Sequence, residues 1–149
     1  VNTAFANSFD PADKRRTELI YSGTGAKTGF YTAKWSDFYG NIPVTRITEM
    51  YLTRAEANLR LGTAVGDTPE NDLNRLRLRA GLLPNLVPTI ADILTEREKE
   101  LAFEGFRLHD YKRTKRSLGT LPYNDPKLVF PIPDREIGAN PSLEQNAGY

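Results

Sequence analysis

Apolar side chains recurring at three- and four-residue spacing over Thr45–Leu61, Pro69–Ala80 and Ile90–Lys112 predict a mainly α-helical fold. Two further observations support this. Clear stop and start signals separate the three runs. The third run also carries apolar groups on opposite faces, as a helix does when neighbours cover both sides of it in a stack. A chain of 149 residues suits one domain with a real core.

The segment 1–43 is loop-rich, and "TGFYTAKWSDFYG" (Thr28–Gly40) holds most of its β-forming aromatics, which predicts a strand or hairpin. "SGTGAKTG" (Ser22–Gly29) invites comparison with a phosphate loop. Such a loop needs glycine directly before its lysine and a helix after it. Here Ala26 precedes Lys27 and an aromatic run follows, so the stretch reads as a Gly-rich turn.

In the first long helix, Ile47, Met50, Tyr51, Arg54, Asn58 and Leu61 share a stripe, and Gly62 supplies the stop. Thr68-Pro69 gives a cap followed by proline at the first helical position. Leu73, Leu76 and Ala80 line the second helix, which Gly81 ends, and the short connection makes the two an antiparallel pair. "TIAD" opens the third helix, with Thr89 and Asp92 spaced as a capping box. From Leu121 to Tyr149 five prolines forbid long regular structure. Leu128, Val129, Phe130 and Ile132 are too apolar to lie free, so an extended strap over the helices is expected, with Phe130 and Ile132 buried. Gly105, inside the third helix, should mark close approach by that strap.

The charges decide which functions are in reach. Twenty basic and 19 acidic side chains nearly cancel, which gives no general attraction to nucleic acid or anionic membrane. "KRTKR" (Lys112–Arg116) at a helix C-terminus favours the macrodipole and has no interleaved aromatics, so no nucleic-acid face is assigned. The absence of cysteine excludes disulfides and thiolate chemistry, and one histidine, His109, leaves little for a metal site. Neither a metal nor a cofactor is expected. Glu96, Glu100 and Glu104 share a helix, and a carboxylate pair would serve a glycosidase, but any acidic helix meets that criterion. Arg97 and Glu104 instead fall in the middle of an apolar stripe, as does Arg54 on the first helix. Buried ion pairs between helices are expected of Arg54, Arg97 and Glu104, with Arg54 as partner of Glu104. Glu56 joins this structural set with its partner unassigned.

"RITEMYLTRAEANLRLG", "LNRLRLRAGL", "EREKELAFEGFRLHDYKR" and "VFPIPDREIGANPSLEQNAGY" occur in this order. Together they resemble the C-terminal region of the SusD/RagB family of outer-membrane nutrient-binding lipoproteins. The match is close from about Arg46 to Tyr149, and "DPADKRR" and "YTAKW" resemble the segment before it. The resemblance implies a SusD-like fold with tetratricopeptide-like helix pairs. It implies one domain, the C-terminal region of a longer protein, with loop or hairpin in 1–43, helices in 44–120 and the strap in 121–149. It further implies non-catalytic capture of a glycan or other nutrient at the cell surface, beside a SusC-like, TonB-dependent transporter. Membrane attachment would come only through a lipid anchor on an N-terminal cysteine that this chain lacks.

Other readings stay open: a helical-repeat scaffold for proteins, or a carbohydrate-active enzyme. If sugar contacts lie in this stretch, Trp35, Tyr31, Phe38 and Tyr39 are the candidates, since aromatic faces stack on apolar sugar faces. The alternative for these rings is anchorage of the loop segment to the helices, the commoner use of aromatic side chains.

Overall fold

A computed structural model describes residues 1–149, and the chain divides into two compact units, Val1–Glu104 and Gly105–Tyr149. The boundary between the two units falls inside the third predicted helix.

In the first unit, α1 (Thr3–Asn7) and α2 (Arg15–Glu18) precede an antiparallel hairpin of β1 (Ile20–Gly23) and β2 (Gly29–Thr32). Asn2 starts α1 by accepting from the Ala4 and Phe5 amides, the usual use of an asparagine at that position. The Gly-rich stretch is the hairpin turn, with Gly23 paired to Gly29. Ala6, Phe9 and Ile20 form a small core here with Phe5, Leu19, Phe30 and Phe103. Phe5 meets Phe9 and Phe103 edge-on, at 5.2 and 6.0 Å between centroids, the geometry that ring quadrupoles favour.

The main core joins α3 (Ile47–Leu61), α4 (Pro69–Arg79) and α5 (Ile90–Glu100). Leu52, Ala55, Leu73, Leu76 and Ile93 are sealed from solvent, with Tyr51 and Leu59 at the edge. Each such leucine contributes on the order of 2 kcal/mol. The caps follow the sequence: Gly62 adopts φ 65° after α3, Thr68 caps α4 ahead of Pro69, and Thr89 with Asp92 closes a capping box on α5. The stripe predicted for α3 needs correction. Ile47, Met50 and Leu61 are exposed, while Thr48, Leu52 and Ala55 face inward. The helix has two apolar stripes, and the one carrying Ala55 lets neighbouring backbones come closest.

The third predicted helix is broken. It stops at Glu100, and α6 begins only at Phe106 and runs to Arg113. Phe103 (φ 67°) and Gly105 (φ 82°) take left-handed backbone angles between them. Gly105 is therefore a helix-start residue, not a mid-helix one. A Cβ there would meet nothing within 4 Å, so the angle, and not the close approach expected from the sequence, explains the glycine.

In the second unit, α6 leads to a 3-10 turn (Pro126–Leu128) and α7 (Asp134–Ala139), and the remainder of the strap is irregular, as its prolines require. Its tail folds back on itself. Gln145 accepts from the Ile132 amide and donates to the Ile132 carbonyl, both at 2.8 Å. Asn146 donates to the Phe130 carbonyl at 2.7 Å, and the Tyr149 hydroxyl to that of Val129 at 2.9 Å. Leu128 is buried, but Phe130 is 86% exposed and Ile132 half-buried, contrary to expectation. The backbone of this segment is held by polar side chains, which leaves the Phe130 ring outside.

Candidate functional site: a charged cleft

A cleft of about 410 Å³ opens in the first unit beside the C-terminal end of α5, lined by Arg15, Lys34, Trp35, Arg46, Arg79 and Glu100 among others. Its floor is an ionic network. Arg15, at the start of α2, donates to both oxygens of Asp13 (2.9 and 2.8 Å), to Glu96 (2.6 Å) and to Glu100 (3.1 Å). Glu100 also accepts from Arg46 and from Arg79, each at 2.6 Å. Glu104 accepts from Arg46 and, at 2.5 Å, from Lys34. Asp13, Arg15, Glu96 and Glu100 are all buried.

The break after α5 explains the hairpin side of the cleft. A helix that stops leaves its last carbonyls without amide partners. Lys34 Nζ donates to the carbonyls of Glu100 (2.7 Å) and Ala102 (2.9 Å), and Trp35 Nε1 donates to that of Phe103 (3.0 Å). The neighbours Lys34 and Trp35, just past β2, therefore hold the turn that separates α5 from α6.

The charges follow from this packing. Burial alone would push the Glu100 carboxyl up. Hydrogen bonding and charge from Arg79, with the charges of Arg15 and Arg46, outweigh it and leave Glu100 below its ordinary value. Burial likewise opposes the Arg15 cation, but Asp13 and Glu96 more than offset it and raise its pKa. For Lys34 burial prevails over Glu104, and the ammonium lies below the ordinary lysine value. A general acid must hold its proton near neutral pH. Glu100, ionised and tied to three arginines, is unsuited to that role. No group of three or more His, Asp or Glu side chains is placed to hold a metal ion.

Among the residues singled out in the sequence, Arg97 is buried and donates to Thr53 on α3 at 3.1 Å. The Glu104 side chain is buried and paired, but with Lys34 and Arg46, so the Arg54 partnership is corrected. Arg54 instead makes a bidentate pair with buried Asp72, at 2.7 and 2.6 Å, because the antiparallel α3–α4 packing sets it against the first turn of α4. Glu56 is buried and accepts from Arg60 one turn on, at 2.9 Å.

Of the four aromatics, only Trp35 lines the cleft. Tyr31 stacks on Tyr21 across the hairpin at 5.7 Å, and Phe38 and Tyr39 are each 98% exposed. Sequence reasoning missed Arg15, Lys34, Arg46 and Arg79. Their only signal was that "DPADKRR", "YTAKW", "RITEMYLTRAEANLRLG" and "LNRLRLRAGL" carry these cations next to apolar residues, and nothing local says which distant carboxylates they meet.

Comparison of the chain with known proteins points to one family. Its sequence model, described as the SusD family, matches residues 22–127. The starch-binding protein SusD of Bacteroides thetaiotaomicron is 30% identical, over 88% of this chain and 30% of that protein. SusD-like protein P38 of Formosa agariphila is 32% identical, over 73% of this chain and 25% of that protein. A solved SusD superfamily protein from Bacteroides vulgatus superposes on the whole chain and on 39% of its own, with a TM-score of 0.70 and 29% identity. The chain thus spans under a third of the length of these two curated relatives. Its hairpin, its α3–α5 core and the ionic cleft all fall at least partly within the matched 22–127, and with that span matched the chain belongs to the SusD family.

Proposed function

We propose that the chain serves in a non-catalytic, cell-surface glycan-binding accessory of a TonB-dependent importer in the outer membrane. The observation that carries this is the SusD family match over residues 22–127, with a relative named as starch-binding. The saturated carboxylates of the cleft support binding over catalysis. In this proposal a SusC-like transporter is the protein partner, and a lipid anchor supplies membrane attachment. No helix of the chain is long and apolar enough to cross a membrane.

The test uses the protein produced from its gene in a Bacteroidetes host. Affinity electrophoresis through gels carrying a panel of polysaccharides should show retardation by at least one of them. A tagged copy should co-purify with an outer-membrane barrel protein. Free migration in every gel, together with no barrel partner, overturns the proposal.

A further inference from the structure

We propose that the cleft lined by Trp35, Asn41, Arg46 and Arg79 is a subsite for an acidic sugar, a uronate unit of a glycan. This rests on the glycan-binding proposal above and adds a place and a ligand chemistry to it. The first reason is how the charges are layered. The carboxylates of Glu100 and Glu104 are 2% and 7% exposed, whereas the side chains of Arg46 and Arg79 are 26% and 54% exposed. A ligand entering the cleft therefore meets these two guanidinium groups, with their compensating carboxylates beneath them and Glu18 as the one exposed acid of the lining.

Arg79 also has donors to spare. It uses Nη2 on Glu100, and the structure gives Nε and Nη1 no protein partner. A guanidinium edge with free N–H groups matches a carboxylate in a planar, two-point fashion, which a neutral hydroxyl cannot reproduce. Asn41 and Glu18, both exposed on the lining, can donate to and accept from ring hydroxyls.

The third reason is Trp35. The residue is 42% exposed, yet its indole N–H is fixed on the Phe103 carbonyl at 3.0 Å. A ring held in place loses little freedom when a sugar stacks on it. The cleft volume of about 410 Å³ falls in the range of small-molecule sites.

Trp35 is the one tryptophan of the 149 residues, so its fluorescence reports on this cleft directly. The chain is titrated with oligogalacturonate, oligoalginate, a glucuronate-bearing oligosaccharide and neutral malto-oligosaccharide, at low and high salt. At least one acidic oligomer should give a saturable change that salt weakens and that the neutral one does not match. Arg79→Ala should weaken binding roughly ten- to a hundredfold, the range for losing a hydrogen bond to a charged group. Its melting curve should stay close to that of the parent, because Glu100 keeps Arg15 and Arg46. Equal response to the neutral oligomer, indifference to Arg79→Ala, or silence across the acidic panel overturns the proposal. If the cleft is silent while the protein is retarded in polysaccharide gels, this inference fails and the glycan-binding proposal stands. Silence in the titration and in every gel, with no barrel partner, removes both.

Discussion

A helix that ends inside a folded unit must hand its last carbonyls to some donor, and Lys34 takes that of Glu100 together with the Ala102 carbonyl of the turn and the Glu104 carboxylate. The ammonium suits this because its three N–H bonds can fan out to three acceptors from one point, whereas a guanidinium donates in a plane. Lys34→Met should lower stability by about 3 kcal/mol, since buried acceptors lose their donor, and Lys34→Arg should not restore it; urea unfolding reads both. Glu100 is the second such residue. Glu100→Ala takes one partner from buried Arg15 and from the more exposed Arg46 and Arg79, for an expected loss of about 3 kcal/mol. Glu104→Ala should cost a few kcal/mol in the same assay, through the buried Lys34 cation. An unchanged unfolding midpoint in either variant would show that water takes over these cations at no cost.

The turn between α5 and α6 is the element that sequence periodicity conceals. Leu94, Leu101 and Leu108 keep a seven-residue spacing straight across it, so the pattern reads as one helix from Ile90 onward. Gly105 is the only local sign of a break, and one glycine inside a helix is tolerable. The deciding donors, Lys34 and Trp35, lie about 70 residues away in sequence, as the separations of their bonds to the turn show. Features written locally were legible: the Thr68-Pro69 start, the Thr89–Asp92 capping box and the Gly62 stop. The inward face of α3 was not, because its choice depends on how closely α4 and α5 approach at Ala55. The same limit applies to the cleft, where the buried charges were foreseen on the right helix but their partners were not. Gly105→Ala tests the element directly. With open space around the Cβ, only backbone strain opposes the change, and a loss of about 1–2 kcal/mol is expected. Asn in the same place should cost less, since it tolerates left-handed angles.

Across the whole molecule the net charge is only +1 at pH 7, so general charge repulsion is weak and the paired carboxylates should govern acid sensitivity. Glu100 lies below its ordinary value of 4.5 in the folded chain. Its contribution to stability is therefore complete above 4.5 and is lost as pH falls through the lower folded value. Asp67, bonded to Asn71, Arg75 and the Thr68 amide, is lowered from 3.8 to about 2 and adds the same trend over that window. The urea midpoint should hold steady from neutrality down to about pH 5 and decline below it. A midpoint that rises on acidification would mean the carboxylates are not stabilising partners. Family membership was legible from motif order alone, because those motifs contain many of the capping, core and ion-pair residues seen here.

The Gln145 clamp has a consequence for how the chain behaves among its own copies. Residues 129–132 read Val-Phe-Pro-Ile, a short apolar stretch in which Pro131 already removes one amide from any strand pairing. The Ile132 amide and carbonyl are both occupied by one glutamine side chain, and Asn146 and Tyr149 occupy the carbonyls of Phe130 and Val129. The tail thus occupies backbone groups that a strand from another copy would need for pairing, even though Phe130 stands in solvent.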